Sequence, residues 1–570
     1  MERNEIWASL DRPWDILVVG GGITGAGILR EAARLGLRAL LVEQGDFASG
    51  TSSRSSKLVH GGLRYLKEGK LLLTWESVQE RERLLGEAPG LIDPLGFLLA
   101  TYQGDQPGRW TFSAGLTVYD LLALNWSHQH YGAEDFQMLA PRLDQEGLQG
   151  GFRYGDAQTD DARLVLRVIR EAVADGGVAQ NHVAAEELLR ENGNVTGARL
   201  RDRITGRVQD VRATVVMNAT GAWADQLRGQ IGADARIRPL RGSHLIFPAW
   251  RLRVAQALTL LHPLDRRPVF VLPWEGVTMV GTTDVDHTEP LDREPSVSPE
   301  EVAYLMAVVC ARFPSLNLGL SDVISTFSGV RPVIGTGKED PSKESRDHVI
   351  WEENGLLTVT GGKLTTFRLI ALDALDAVRH RLPDTPPPDR ARPVLNPVQL
   401  ALPHDVRLPD TDWRRLLGRY GADAPSVVES ARPGELERVP GTPVFWAELR
   451  WAARAESVVH LDDLLLRRVR LGLLAPEGGR EHLPNRIRAI CQEELGWDDR
   501  RWAEEQSAYI ERWNAHYGLP RSSSVPDWRA SIATAKKRKL SDVSRRLRKV
   551  MSVFAGVIGA VALVLAWLRW

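Results

Sequence analysis

Gly20-Gly21-Gly22-Ile23-Thr24-Gly25 fits G-x-G-x-x-G and stands between an apolar run and a helix-patterned stretch. In such a turn Gly20 permits the tight bend, Gly22 lets the backbone approach a pyrophosphate, and Gly25 allows the helix to pack closely on the strand. The helix start presents N–H groups and a partial positive charge to phosphates. Glu43 has the spacing of an acid that accepts from ribose hydroxyls. The chemistry predicted is dinucleotide binding, for which FAD and NAD are equally suited by this turn. A second phosphate would call for guanidinium forks, which match its oxygens bidentately. Arg64 and Arg331, beside glycine or proline in turn-like stretches, and Arg346 are the candidates.

The elements that must position these residues read as strand, turn, helix, strand. Asp15 to Val19 has the short β-rich pattern of a strand buried on both faces of a parallel sheet. Thr24 to Leu35 has helical spacing that buries Ile28, Ala32 and Leu35, and Arg38 to Val42 forms the next strand. Strand-like runs at Thr214 to Met217 and Val269 to Leu272 alternate with helices further on. Leu356 to Val359 reads as a strand that enters the turn Gly361-Gly362-Lys363-Leu364-Thr365 and then a helix, Thr366 to Val378. That second helix start could stabilise negative charge on a bound cofactor, and Thr220-Gly221 could approach it similarly.

Prolines gather between Pro383 and Pro403, where such density stops helices and favours linkers. Beyond them, Ala447 to Leu474 and Arg486 to Tyr517 are charged and helix-patterned. The expected domains are therefore 1–390, 391–520 and a tail, 521–570. The tail carries Lys536-Lys537-Arg538-Lys539 and Arg545-Arg546-Leu547-Arg548-Lys549, then no charge from Met551 to Leu568. A helix of that length spans roughly 27 Å, close to the hydrocarbon thickness of a bilayer. Its cationic flank should stay cytoplasmic, with Trp567 and Trp570 suited to the interface. The expectation is a membrane-inserted anchor on the cytoplasmic side.

The 570 residues are 43% apolar and 25% charged, ordinary for a globular protein, and the net charge of -1 gives no global attraction to nucleic acid. Cys310 and Cys491 build neither a disulfide framework nor a zinc site, so no metal is expected. Met1 to Trp14 has no apolar leader run, and the first domain is expected to fold in the cytoplasm.

Thr51-Ser52-Ser53-Arg54-Ser55-Ser56-Lys57-Leu58-Val59-His60-Gly61-Gly62-Leu63-Arg64-Tyr65-Leu66 closely resembles the signature of FAD-dependent glycerol-3-phosphate dehydrogenases, TSS-x-SSKL-[IV]-HGGLRYL. Further motifs follow in the family's order: Asp160-Asp161-Ala162-Arg163-Leu164, Asn218-Ala219-Thr220-Gly221-Ala222-Trp223, Gly242-Ser243-His244, Gly281-Thr282-Thr283-Asp284, Ser328-Gly329-Val330-Arg331-Pro332 and Gly361 to Thr366. Ala222 replaces a proline and Arg241 a lysine. Arg467-Arg468-Val469-Arg470-Leu471-Gly472 is similar to the family's RRTRLG, and the tail has no counterpart.

The resemblance implies an α/β fold. A Rossmann-like FAD domain of glutathione-reductase type would be interleaved with a mixed-sheet substrate domain, followed by an α-helical C-terminal domain and the hydrophobic helix. It implies oxidation of glycerol-3-phosphate by hydride transfer to FAD, with electrons passed to quinone. The alternative is an oxidase that makes hydrogen peroxide, and a homodimer stays open. FAD would be held by Gly20, Gly22, Gly25, Glu43, Thr51, Ser52, Ser56, Lys57, Leu58, Thr220, Gly221, Gly362, Leu364 and Thr365. Arg331 and Arg346 would hold the phosphate, with Tyr65 also at the substrate and Arg64 and Lys363 near substrate and flavin. His244 is the first candidate base, since histidine takes up a proton near neutral pH. His60 is the other, or a contact to the flavin ring.

Overall fold

The computed structural model describes residues 3–63, 66, 69–103, 109–123, 127–335, 347–404 and 406–535. Arg64, Tyr65, Arg346 and the anticipated membrane helix from Met551 to Leu568 lie outside these residues. Among the described residues no helix is long and apolar enough to cross a membrane.

Strand Trp14–Val19 is buried at every position because it lies in mid-sheet. It pairs in parallel with Ala39–Val42 on one side and Val208–Asn218 on the other. Val178–Gln180 extends the sheet beyond Ala39–Val42, and Leu356–Gly361 extends it beyond Val208–Asn218, both in parallel. Helix Ile23–Arg34 covers one face together with Asp161–Ala174 and Phe367–Val378. The core between them is built from Ile16, Val18, Ile28, Ala32, Leu41, Met217 and Val359. The anticipated first strand, helix and second strand fall within a residue or two of these limits.

The second sheet is ten-stranded and mixed: Ala257–Leu261 runs parallel to Ile92–Tyr102, while its other pairings are antiparallel. Its strands Leu58–Val59, Ile92–Tyr102 and Leu148–Thr159 fall in sequence between strands of the first sheet, so the two units are interleaved. Next to one edge of this sheet Ile237–Pro248 pairs with Val277–Gly281 on one side and with the edge strand Ser325–Ile334 on the other.

From 383 to 409 the described residues contain no helix or strand. Helices follow, but the two long helical stretches are broken. Trp446–Ala455 ends before Ser457, which has φ +53°, and Arg470, φ +62°, separates Asp463–Arg468 from Leu471–Leu474. Arg488–Cys491 is separated from Asp499–His516 by Gly496, φ +65°, and the Asp498 carboxylate caps the latter helix through Arg501 N–H at 2.7 Å. The helical region shares one apolar core with the substrate sheet, joining Phe97, Trp274 and Met279 to Leu464, Trp502 and Tyr509. Buried ion pairs cross between the units: Arg163 with Glu456 at 2.5 Å and Arg419 with Asp160 at 2.8 Å. Removing one partner of such a pair costs about 3–5 kcal/mol, since it strands a buried charge.

Candidate active site and cofactor cleft

The glycine turn is built as its spacing requires. Gly20 has φ +116°, and a Cβ there would lie 2.5 Å from the Ala219 carbonyl. A Cβ on Gly25 would lie 1.9 Å from the Gly20 carbonyl, so only hydrogen lets the helix sit this close. Gly22 is the helix N-cap and has no side chain to occupy the first-turn N–H groups.

In front of the turn lies a cavity of about 800 Å³, lined among others by Gly20, Gly22, Glu43, Thr51, Thr220 and Gly221. Its volume falls within the range of cofactor pockets. Both oxygens of Glu43 accept from backbone, Gly21 N–H at 2.7 Å and Gly45 N–H at 2.8 Å. A carboxylate has about four acceptor positions, so Glu43 can brace the turn and still receive ribose hydroxyls. Burial raises its pKa despite these two donors. Backbone clearance, a helix start and an acid at the cavity wall fit FAD.

The residues of the long motif divide by task. Thr51 lines the cavity and donates to the Val330 carbonyl. Ser52 Oγ accepts from Ile23 N–H at 2.9 Å and so caps the dinucleotide helix from outside. Leu58 is a core residue. Lys57 was expected at the cofactor, but its buried ammonium turns to Asp161, 2.8 Å from both oxygens, and to the Ser53 carbonyl at 2.5 Å. The reason is electrostatic: a fully buried ammonium needs a buried partner, and Asp161 is it. Burial and the nearby Arg470 still pull Lys57 down to about 7.

His244 sits mid-strand in Ile237–Pro248, 1% exposed, stacked on Phe327 with centroids 4.5 Å apart. Its Nε2 is 2.9 Å from Ser56 Oγ, and its Nδ1 has no partner among the described residues. Gly281 faces the ring so closely that a Cβ there would stand 2.0 Å from His244 Cδ2. Burial, then Lys57 and Arg331, hold the imidazole well below its ordinary pKa, so it is neutral at pH 7.

Arg331 was read as part of a turn. It lies inside strand Ser325–Ile334, opposite Leu240, because all ten residues of that strand pair with Ile237–Ile246. Its guanidinium reaches Asp284 at 3.1 Å and Thr282 Oγ1 at 3.3 Å. The turn Gly361 to Thr365 and the His60 turn are tied together: Thr365 Oγ1 accepts from His60 N–H and donates to His60 O, both at 3.1 Å. Lys363 Nζ donates to Ser77 Oγ at 2.6 Å. Gly362 has φ +77°, and Leu364–Thr366 is a tight 3-10 turn, so the α-helix starts at Phe367.

Sequence reasoning missed Arg54, which lines the cavity and pairs with Glu294 and the Tyr517 hydroxyl. Its place inside the long motif was the available signal. His182, Asp463 and Asp46 have ligand atoms close enough to share a cation. Arg467 and Arg468 already neutralise Asp46, and His182 Nε2 faces Asp463 at 3.1 Å, so the group is a closed ion network.

Fold and cavity together define a dinucleotide-binding flavoprotein of the oxidoreductase class. Residues 15–368 match the FAD dependent oxidoreductase family, and residues 394–502 match the C-terminal domain of alpha-glycerophosphate oxidase. Aerobic glycerol-3-phosphate dehydrogenase of Bacillus subtilis is 38% identical over 67% of this chain and 70% of its own length. Glycerol-3-phosphate dehydrogenase 2 of Mycobacterium tuberculosis is 32% identical over 95% of this chain and 96% of its own. The glycerol-3-phosphate dehydrogenase from Bacillus halodurans, solved in complex with FAD, superposes with a TM-score of 0.72 at 28% identity, covering 90% of this chain and 97% of that one. The chain belongs to the FAD-dependent glycerol-3-phosphate dehydrogenase family.

Proposed function

We propose that this protein oxidises sn-glycerol 3-phosphate to dihydroxyacetone phosphate. The observation that carries the reading is a buried, neutral imidazole at His244 on the strand paired with the one that bears Arg331. FAD, when bound, supplies the two-electron acceptor for the hydride that leaves C2 of the substrate. Arg331 takes the phosphate, its guanidinium oriented by Asp284 and Thr282. With Nε2–H donated to Ser56 Oγ, the His244 lone pair rests on Nδ1, which accepts the proton of the C2 hydroxyl. This nitrogen is buried beside the packed Phe327 ring, so the C2 hydroxyl must displace that packing to reach it. Arg346, Arg64 and Tyr65 are assigned to the same substrate by the motif alone, and His60 and Lys363 to the flavin end.

The electron acceptor in this reading is a membrane quinone, and the protein works at the cytoplasmic face of the membrane. The support is in the sequence, where two basic clusters precede the uncharged run Met551 to Leu568; quinones dissolve in the bilayer that such a run would enter. Anaerobic mixing with glycerol-3-phosphate should bleach the flavin absorbance, and a soluble quinone should restore it faster than air does. Flavin that stays oxidised refutes the substrate. Stoichiometric hydrogen peroxide with no response to quinone refutes the acceptor.

A further inference from the structure

The stretch from Glu43 to Arg54 carries Glu43, Gln44, Gly45, Asp46, Ser49, Gly50, Thr51 and Arg54 to the wall of the cofactor cavity, yet contains no strand and only one 3-10 turn, Thr51–Ser53. Such a loop is held by what surrounds it. Its Ala48 N–H reaches the Gly21 carbonyl at 3.0 Å, tying it to the glycine turn. From the two sheet units His182 N–H reaches the Gly45 carbonyl at 2.7 Å, Asn181 Nδ2 reaches Asp46 Oδ1 at 3.0 Å, and Thr51 donates to the Val330 carbonyl; further anchors come from the helical region.

Asp46 is 2% exposed, and Arg468 grips it with a fork, Nη1 to Oδ2 at 2.6 Å and Nη2 to Oδ1 at 2.7 Å. Arg467 Nε adds a third bond at 2.5 Å. Seven residues along the loop, Arg470 Nη2 donates to the Ser53 carbonyl at 2.9 Å. Tyr517 meets Arg54 at 3.1 Å. The same region supplies His460, Asp462, Asp463, Arg467 and Arg512 to the cavity wall itself.

We propose that the segment Arg467–Arg470 is a cofactor clamp: its arginines fix the FAD-facing loop at Asp46 and Ser53, so that FAD release requires the helical region to let go. Arg468 and Arg470, which do not line the cavity, are positioning residues, acting on FAD through the loop, whereas Arg467 grips the loop and also forms part of the cavity wall. The bidentate fork suits this task, because it fixes direction as well as distance. The inference rests on FAD being the cofactor and is independent of the substrate and of the electron acceptor.

The test is flavin affinity, measured on the full-length chain after removal of flavin by fluorescence titration with FAD. In Asp46→Asn the dissociation constant should rise at least tenfold, and the increase in melting temperature on adding FAD should shrink. Arg468→Lys keeps the charge and loses the fork; it should move both readings in the same direction by less, and it carries the test if Asp46→Asn does not fold. Glu435→Gln loosens the buried pair with Arg450, 2.5 Å apart and away from the cavity lining. It should lower the melting temperature and leave the dissociation constant unchanged. Variants whose affinity stays within twofold of the parent, however much they melt early, overturn the clamp. A parent chain that takes up no FAD overturns the cofactor assignment and the clamp with it.

Discussion

His244 should enter the reaction uncharged, and pH can reveal it. Burial, Lys57 and Arg331 all disfavour the imidazolium, so its pKa lies well below 6.5. The rate constant for flavin reduction by substrate should therefore stay level from pH 8 through 6.5 and fall only in more acid solution. An acid limb centred above pH 7 would assign the proton to another group. The same shift acts on stability. The unfolded imidazole binds its proton from about pH 6.5 downward, the folded one only at lower pH, so acid in that window favours unfolding. His244→Gln should slow flavin reduction by about 10²–10⁴-fold, the usual worth of a general base, with FAD retained; a loss under tenfold moves the base to His60. Arg331→Ala should raise KM with FAD still bound, and an unchanged KM removes it from the phosphate site. The glycine turn was legible because its spacing permits one geometry, and His244 and Arg331 stood out as candidates by residue type two positions after a glycine. What stayed hidden was direction. Lys57 and Ser52 belong to the same motif, yet one faces Asp161 and the other caps Ile23, choices made by partners more than a hundred and about thirty residues away.

At the scale of elements, helix Leu71–Glu87 and the proline-rich stretch meet at one carboxyl. Glu87 Oε2 accepts from the N–H groups of Val394 and Leu395, at 2.9 and 3.1 Å. Burial lifts its pKa to about 7 against these donors. The unfolded carboxyl ionises near pH 4.3, so between there and 7 the folded chain holds the proton more tightly, and stability falls as pH rises through that window. Glu87→Gln keeps an acceptor for both N–H groups and removes the charge. It should abolish that fall and stabilise the protein at pH 8 by about 1–2 kcal/mol, discounted from 1.36 kcal/mol per pKa unit. Denaturant midpoints at pH 5 and pH 8 measure it; parent and variant with equal midpoints at both would mean that Glu87 ionises normally. Docking of this kind explains which elements could be read. The first strand, helix and strand follow from local periodicity and a turn that permits only one geometry. Ser328-Gly329-Val330-Arg331-Pro332 looked like a turn because glycine and proline usually break strands. Here the Arg54 carbonyl lies 2.6 Å from where a Gly329 Cβ would be, so glycine marks a close approach within a strand. The breaks at Ser457, Arg470 and Gly496 were illegible for a related reason, since two of them place ordinary side chains at positive φ.

For the whole molecule the question is how a catalytic body and a tail divide the work. The body is one connected structure: the helical region shares its apolar core with the substrate sheet and crosses to the FAD domain through Arg163–Glu456 and Arg419–Asp160. The described tail residues begin on that body, with Val525, Trp528 and Ile532 packed against the core around Leu305 and Val309. After them come the basic clusters and eighteen consecutive uncharged residues, Met551 to Leu568. Nothing in the proposed chemistry at His244 and Arg331 involves the tail, so anchoring and substrate oxidation should be separable. A chain ending at residue 535 keeps Val525, Trp528 and Ile532 in place and should retain FAD, its melting temperature and reduction of a soluble dye by glycerol-3-phosphate. Sedimentation with vesicles should then distinguish the two: the parent should bind and reduce quinone held in the bilayer, and the shortened chain should stay in the supernatant. Vesicle binding that survives the truncation would place the membrane contact on the body, where Leu71, Leu72, Trp75, Trp110 and Leu121 are exposed. Loss of dye reduction would mean that the tail supports the active site itself.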